Sequence, residues 1–181
     1  MTTEKLIFNS VMEGLIQSVR ADISPKCHTR MKEAGFDFQA KLLPAYPAEL
    51  WARVVQILGE EIYPGIGPAD SQRRLALRTV EVFAQSMIGG AMFTVANLLG
   101  PDRTVRRMTR NFRTGANFIE TACTEVSPHT FDISFNDVSR VAGFYAGLLE
   151  AGFLRVGAKG LTVKIHDEKA PGAIFRVNWA V

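Results

Sequence analysis

The chemically most distinctive part of the sequence is a cluster of arginines between positions 103 and 113. Only Asp102 offsets their charge locally, although the whole chain carries a net charge of only +3. On an α-helix these side chains would share an arc of about 120°. Guanidinium groups bind phosphate and carboxylate in a bidentate manner. The cluster therefore predicts an anion-binding face made of Arg103, Arg106, Arg107, Arg110 and Arg113.

Three interpretations of this arginine face stay open. It is a solvated helix surface without a partner, an anion site for a nucleotide, a lipid headgroup or an acidic protein, or a nucleic-acid surface. The sequence argues against the last, because nucleic-acid binders spread their charge and interleave aromatic residues. Here only Phe112 interrupts the arginines, and together with Val105 and Met108 it belongs to the opposite, core-facing ridge.

A second candidate site is apolar. Aromatic and methionine side chains recur on the predicted helices, and they would line a cavity for a small ligand. The same residue types also fill ordinary cores, so the sequence supports both a pocket and a filled core. The candidate lining residues are Trp51, Phe83, Met87, Met92, Phe93, Phe144 and Tyr145.

No catalytic or metal-binding motif accompanies these candidates. His28, His129 and His166 are scattered, and neither Cys27 nor Cys123 has the spacing of a metal site or follows the glycine elbow of a nucleophile. We therefore expect no resident metal or cofactor and favour a non-enzymatic role. An enzyme remains an alternative, because a catalytic site can also be assembled from residues distant in the sequence.

Composition and length indicate an ordinary globular protein. The 181 residues are 47% hydrophobic and 22% charged, which predicts one domain over residues 1–181. Lys5, Glu13 and Arg20 interrupt the apolar N-terminal stretch, so no secretory signal is expected, and no run of 18 apolar residues predicts a membrane span. We expect a cytoplasmic protein with reduced thiols.

Apolar residues spaced three and four apart predict helices over a first part, about residues 5–115. Gly89-Gly90 is expected to interrupt or kink one of them, with close helix packing or room for a ligand as its reason. Gly100-Pro101 is expected to separate that helix from the arginine helix. The arginine helix itself should continue to about Arg113.

The spacing of apolar residues changes from the helical pattern to a strand pattern in the second part, about residues 116–181. Two hairpins are predicted, with strands over 118–126 and 130–135 and over 161–166 and 173–179. A helix that Asn136 or Asp137 caps lies between the hairpins. The fold class is therefore α+β: a helical N-terminal two thirds followed by β-β-α-β-β, with a four-stranded antiparallel sheet packed on helices.

Several local strings, together with this order of elements, resemble a known family. The strings cover residues 11–16, 45–47, 98–101, 145–152 and 175–179, and they begin with Val-Met-Glu-Gly-Leu-Ile. The chain resembles the myxobacterial paralogous domain of unknown function over nearly its whole length, which implies a bacterial protein. These strings consist of packing residues, so the resemblance transfers no activity.

The order of elements is also similar to the 4-vinyl-reductase-type small-molecule-binding domain and its haem-NO-binding relatives. That resemblance implies a sensor or carrier of small, often apolar ligands. The chain departs from both patterns. It has no Tyr-x-Ser-x-Arg string of the haem-NO group, and its last hairpin carries His166, Asp167 and Glu168 in place of paired cysteines.

The function expected from these observations is a non-enzymatic cytoplasmic small-ligand-binding or sensory domain. Its ligand would be small and apolar, or an anion held by the arginine face, and the domain would form a dimer through a helical or sheet surface. The first alternative is an interaction module that docks an acidic protein partner on the same arginines. The third is an uncharacterised enzyme or a nucleic-acid binder.

Overall fold

The N-terminal part consists of helices closed by a small strand pair. A computed structural model describes residues 4–108 and 111–180. Strands β1 and β2 pair antiparallel, a contact that the sequence did not predict. Helix α2 begins at Pro25, because the Ser24 side chain accepts a hydrogen bond from Cys27 N and Pro25 occupies the first turn. The elements are β1 (Leu6–Phe8), α1 (Asn9–Val19), α2 (Pro25–Glu33), β2 (Ala45–Pro47) and α3 (Ala48–Ile62).

The next two helices, α4 (Pro68–Gln85) and α5 (Met87–Met108), meet at an angle of 97°. Their break lies at Ser86, three residues before the predicted position, because the Ser86 hydroxyl accepts a hydrogen bond from Gly89 N and caps α5. Gly89 lies inside α5, where a Cβ would approach Phe83 O to 1.9 Å. The glycine is therefore explained by close packing of the two helices at their corner.

Helix α5 is itself interrupted before the arginines. Gly100 has a φ of 72°, a left-handed conformation that favours glycine, and Pro101 restarts the helix. The predicted boundary at Gly100-Pro101 is therefore present. The described part of the helix extends to Met108, and a 3-10 turn covers Asn111–Thr114. The prediction of one α-helix reaching Arg113 is wrong, because the backbone tightens into that turn before Gly115.

Among the described residues, no single helix combines the length and apolar character that crossing a membrane requires. Helices α4 and α5 meet those limits only when both are counted together across their bend.

The C-terminal part confirms the predicted α+β fold. Four strands form one antiparallel sheet in the order β3-β4-β6-β5, and α6 connects the two hairpins. Alternate residues of β4 and β6, including Phe131, Ile133, Phe175 and Val177, are buried on the face that packs against helices. The elements are β3 (Thr121–Ser127), β4 (Thr130–Phe135), α6 (Ala142–Arg155), β5 (Lys159–Lys169) and β6 (Gly172–Ala180).

Helix α6 begins later than predicted. Asn136 and Asp137 do not cap it, since the helix starts at Ala142. Asp137 instead accepts hydrogen bonds from Ser139 N and from Lys5 Nζ, both at 2.7 Å, and so pins the preceding loop to the N-terminus of the chain. Ser139 and Arg140 adopt left-handed φ values of 47° and 62° within this loop. The carboxylate therefore organises a turn and not a helix end.

Helices α4 and α6 pack unusually closely through two glycines. A Cβ at Gly143 would lie 2.2 Å from Ala69 O, and a Cβ at Gly147 would lie 2.5 Å from Arg73 O. Glycine therefore allows the two helix backbones to approach each other directly. This contact joins the helical part to the helix that supports the sheet.

One ion pair across the sheet makes a testable contribution to stability. Arg176 on β6 lies opposite Asp132 on β4 and donates from Nε and Nη2 at 2.8 and 2.7 Å. Hydrogen bonding from Arg176 holds the pKa of Asp132 below its usual range. Asp132→Asn should lower the free energy of unfolding by about 1–2 kcal/mol at neutral pH. Urea unfolding monitored by circular dichroism measures the difference.

The pH dependence of this effect has a definite sign. A lowered folded pKa means that the stabilisation is present above the unfolded pKa of about 3.9 and is lost as the pH falls through the folded value. The difference between wild type and Asp132→Asn should therefore shrink in acid. Asp167→Asn is the matched control, because its partner Lys169 is 85% exposed; it should change stability by less than about 0.5 kcal/mol. If the free energy of unfolding differed between wild type and Asp132→Asn by the same amount in acid as at neutral pH, this assignment would be contradicted.

Candidate functional sites

A small apolar cavity lies where the two parts of the fold meet. Its volume is about 60 Å³. Trp51 of α3 forms one wall, and half-buried Val11, Phe112 and Leu148 lie toward the surface. The lining residues are Ile7, Val11, Trp51, Phe112, Gly115, Ala116, Ile119, Phe144, Tyr145 and Leu148. A partly open cavity of this size accepts a few small atoms and excludes ring systems.

The wall around Trp51 is a frame of aromatic rings. The centroids of Trp51 and Phe144 lie 5.3 Å apart with planes at 89°, and those of Trp51 and Tyr145 lie 6.1 Å apart at 69°. Edge-to-face contacts of this kind fix ring orientation. Burial raises the pKa of the Tyr145 phenol well above its usual range, and the Asp137 carboxylate adds to the shift. Tyr145 therefore stays a neutral phenol.

Trp51, which lines this cavity, has an unpaired indole N–H group. Its side chain is 1% exposed, and its indole nitrogen Nε1 has no hydrogen-bond partner within the described part of the chain. Buried N–H groups are nearly always paired in folded proteins, because an unpaired one costs about 1–3 kcal/mol. The residue that carries this unsatisfied donor is also one of the residues that line the apolar cavity.

The structure divides the seven residues proposed for an apolar pocket into two groups. Trp51, Phe144 and Tyr145 line the cavity together. The other four belong to the α4–α5 corner, where the rings of Phe83 and Phe93 lie 6.3 Å apart. Met87 and Met92 are 89% and 37% exposed. The seven side chains thus do not share one cavity, because the four residues of the corner lie outside the lining of the Trp51 cavity.

The arginines are also in different environments. Arg106 pairs with Glu125 of β3, which raises the pKa of the guanidinium, and it lies over the Phe131 ring at 5.3 Å. Arg113 contacts Glu120 at 3.5 Å. Arg103 and Arg107 are exposed and make no ion pair with a described residue, whereas Arg110 lies outside the described residues. On the opposite side Val105 is fully buried, as the ridge predicted.

A larger, open groove of about 1010 Å³ lies beside the Lys5–Asp137 pair. Residues of both charges line it, including Glu49 and Arg53 of α3 and Arg140 of the loop before α6. Its buried carboxylate, Asp137, is already satisfied by Lys5 and Ser139. Sequence reasoning missed this groove, since its residues are distant in the chain and fit no motif.

The described residues contain no cluster of three His, Cys, Asp or Glu side chains that could hold a metal ion. Cys27 and Cys123 are free thiols, and burial raises the pKa of each above its ordinary value. A raised pKa disfavours the thiolate that nucleophilic chemistry requires. His28 contacts Asp37 at 2.9 Å and His129 contacts Asp102 at 3.2 Å, in separate parts of the fold.

Comparison with protein families identifies one match. The sequence profile of a family described as protein of unknown function (DUF2378) matches residues 5–180. This match agrees with the resemblance to a family of unknown function that the sequence suggested. No protein with a curated description matches the chain.

Comparison with solved structures identifies a shared fold. An oxygen-binding H-NOX domain related to soluble guanylate cyclases, in its oxygen complex, superposes with a TM-score of 0.72 at 10% identity, covering 97% of this chain and 96% of that one. A structure concerning haem redox potential and protein-induced porphyrin distortion gives 0.71 at 11%, covering 97% and 96%. A mutant H-NOX protein from K. algicida, with unliganded Fe(II), gives 0.71 at 10%, covering 97% of each chain. At these identities the likeness establishes the H-NOX fold.

Proposed function

The chain belongs to the DUF2378 family, whose description assigns no function, and we propose from its geometry that it is a non-enzymatic small-ligand-binding or sensory domain. The ligand is a small, largely apolar molecule with one hydrogen-bond acceptor, held in the cavity beside Trp51. The observation that carries this proposal is that Trp51 lines the cavity and has a buried, unpartnered Nε1 within the described part of the chain. An acceptor atom that reaches this donor removes the cost of leaving it unpaired.

Haem, which one of the structural neighbours concerns, does not fit this chain. A ligand of that size needs a pocket of at least about 300 Å³, five times the volume of the Trp51 cavity. The large groove has the volume, but among the described residues neither site is lined by the His, Cys or Met that commonly ligates haem iron. Tyr145 lines the cavity only as a neutral phenol. The proposed ligand therefore binds without a porphyrin.

The position of the cavity supports a sensory role. Its walls come from β1, α1, α3, the segment before β3, and α6, so one ligand would contact both parts of the fold. Binding to a site shared by two packed parts stabilises their native arrangement against local opening. The same arrangement gives the two parts a common response to occupancy.

A titration with acetonitrile tests the proposed site. This probe is linear, mostly apolar and has one acceptor nitrogen. The chain has two tryptophans, and Trp51→Phe assigns the two indole N–H signals in a ¹H–¹⁵N spectrum. We expect the Trp51 signal to shift in a saturable manner, while Trp179 provides the internal control because it lies outside the cavity lining.

Two variants separate specific binding from a solvent effect. Ala116→Val and Leu148→Phe each add volume to the cavity wall and should abolish saturable binding while circular dichroism confirms the fold. Trp51→Phe keeps the apolar wall but removes the donor, so it should weaken acetonitrile binding by about tenfold. Because this variant lacks the Trp51 indole signal, its binding is followed through the backbone amide signals of the lining residues Phe144 and Tyr145. Equal, non-saturating shifts of both indole signals would refute the proposed ligand site.

A further inference from the structure

Helix α5 exposes an apolar stripe that its own chain does not cover. Five side chains form the stripe, and their exposed fractions are 89% for Met87, 73% for Ile88, 37% for Met92, 59% for Val95 and 84% for Leu98. At 100° per residue they occupy an arc of about 140°, as wide as the core-facing side of a buried helix. Here that side faces outward.

The stripe is a continuous feature and not a set of isolated residues. No charged residue occurs from position 86 to position 101. The opposite side of the helix already packs on the domain through Gly89, Phe93 and Ala96. Contiguous exposed apolar surface of this kind marks an interaction site in folded proteins.

Unpaired positive charge follows the stripe along the chain, in the segment of α5 after Gly100. Thr104 Oγ1 donates to Ala96 O at 3.1 Å, which holds the arginine segment of α5 against the apolar segment across the Gly100 interruption. Arg103 and Arg107 on this segment are exposed and have no carboxylate partner in the described chain. Helix α5 therefore carries both an exposed apolar stripe and two exposed guanidinium groups that have no carboxylate partner in the described chain.

The nearby carboxylates are already engaged, which argues against a second copy of the chain as the occupant. Glu81 pairs with Arg155, Asp102 with His129, Glu120 with Arg113 and Glu125 with Arg106. A second copy docked on the stripe would bring its own unpaired arginines without offering free carboxylates near them. Like charges brought together in this way oppose association.

An anionic lipid surface matches both parts of this feature. Protein interfaces carry about one hydrogen bond per 100–200 Å², yet the five stripe side chains offer no hydrogen-bonding group. Hydrocarbon requires none, and lipid phosphates accept hydrogen bonds from guanidinium groups. We propose that helix α5 docks the protein on an anionic membrane surface, with the apolar stripe entering the interface and Arg103 and Arg107 binding headgroup phosphates.

Vesicle flotation of the full chain tests this proposal. Binding is compared between vesicles of phosphatidylcholine mixed with phosphatidylglycerol and vesicles of phosphatidylcholine alone. We expect binding to the anionic vesicles that weakens with salt, and much weaker binding to the neutral ones. Arg103→Gln combined with Arg107→Gln should reduce partitioning by about 30-fold, since each cation near the surface contributes roughly 1 kcal/mol.

Matched variants assign the effect to this surface. Arg53→Gln with Arg140→Gln removes the same charge from two exposed arginines without ion pairs in the described chain, and should leave vesicle binding unchanged. Leu98→Glu should reduce binding to anionic vesicles by at least about tenfold. Leu43→Glu, at a side chain that is 58% exposed elsewhere, should not.

Three results would overturn the proposal. The first is equal binding to neutral and anionic vesicles, or no loss in the arginine and Leu98→Glu variants. The second is failure to bind vesicles together with self-association in sedimentation equilibrium that Leu98→Glu abolishes, which assigns the stripe to a second copy. The third is failure to bind vesicles together with polyglutamate binding that requires Arg103 and Arg107. Leu98 lies outside the Trp51 cavity, so Leu98→Glu should leave acetonitrile binding unchanged. The membrane proposal and the proposed ligand site can therefore fail independently of each other.

Discussion

Alanine at Gly143 or Gly147 is expected to destabilise the protein by about 2–3 kcal/mol, although alanine is the better helix former by about 1 kcal/mol. The added Cβ would lie 2.2 Å from Ala69 O at position 143, and 2.5 Å from Arg73 O at position 147. Both obstacles are backbone atoms of α4 and cannot rotate away. Helices α4 and α6 would have to separate, and the core between them would lose contact.

The same helix provides the control. Gly152 lies in α6 with no atom near its would-be Cβ, so Gly152→Ala should stabilise the protein by about 0.5–1 kcal/mol. Urea unfolding should therefore show a lower free energy of unfolding for Gly143→Ala and Gly147→Ala and a higher one for Gly152→Ala, although all three substitutions lie in the same helix. Stabilisation by all three would show that α4 and α6 do not pack as closely as described.

Trp51→Ala is expected to cost about 3–5 kcal/mol, the range for deletion of a buried aromatic side chain. The substitution removes a ring that is 1% exposed and packs edge-to-face on Phe144 and Tyr145. The space left by the indole joins the existing cavity of about 60 Å³. The enlarged cavity should accept free indole, which restores up to about 2.7 kcal/mol at a hundredfold excess over its Kd.

Thermal unfolding with and without indole measures this rescue. Wild type should not respond, because its cavity is too small for the ring. Trp179→Ala is the matched variant: its indole is stacked with Phe131 and Phe153 at centroid distances of 5.4 and 5.3 Å and lies outside the cavity lining. It should lose comparable stability and respond less to indole. Equal rescue of both variants would contradict an existing cavity beside Trp51.

The fold class was predictable because both hairpins and the helix between them have a clear periodicity. Residues 130–135 alternate strictly, and the observed strand Thr130–Phe135 has the same bounds. The start of α6 was not predictable from local signals. Asn and Asp favour helix caps and turns alike, and the partner that fixes Asp137 is Lys5, at the other end of the chain.

The candidate sites were predictable only as residue types. Methionine and aromatic residues at helical spacing look the same whether they line a cavity or face outward. Trp51 and Phe144 are buried, whereas Met87, directly after the break at Ser86, is exposed. The ion pair between Arg106 and Glu125 of β3 could not be predicted from the sequence either, because the two residues meet only in the folded chain.

The physical cause of these limits is the same in each case. Local sequence determines periodicity, caps and glycine positions, whereas burial and ion pairing depend on contacts between distant segments. The unpartnered Trp51 Nε1 is such a property. Trp51 could be recognised in the sequence as a candidate pocket residue, but its missing hydrogen bond could be recognised only in three dimensions.

The most direct measurement for the proposed function is a crystal structure of the protein under xenon pressure. Xenon enters small apolar cavities without needing a hydrogen bond, so it reports the cavity independently of the Trp51 donor. We expect one xenon atom between Trp51, Phe144 and Leu148 in wild type, and none there in Ala116→Val. Side chains that close this space in wild type, with Trp51 Nε1 bonded to a protein acceptor, would contradict it.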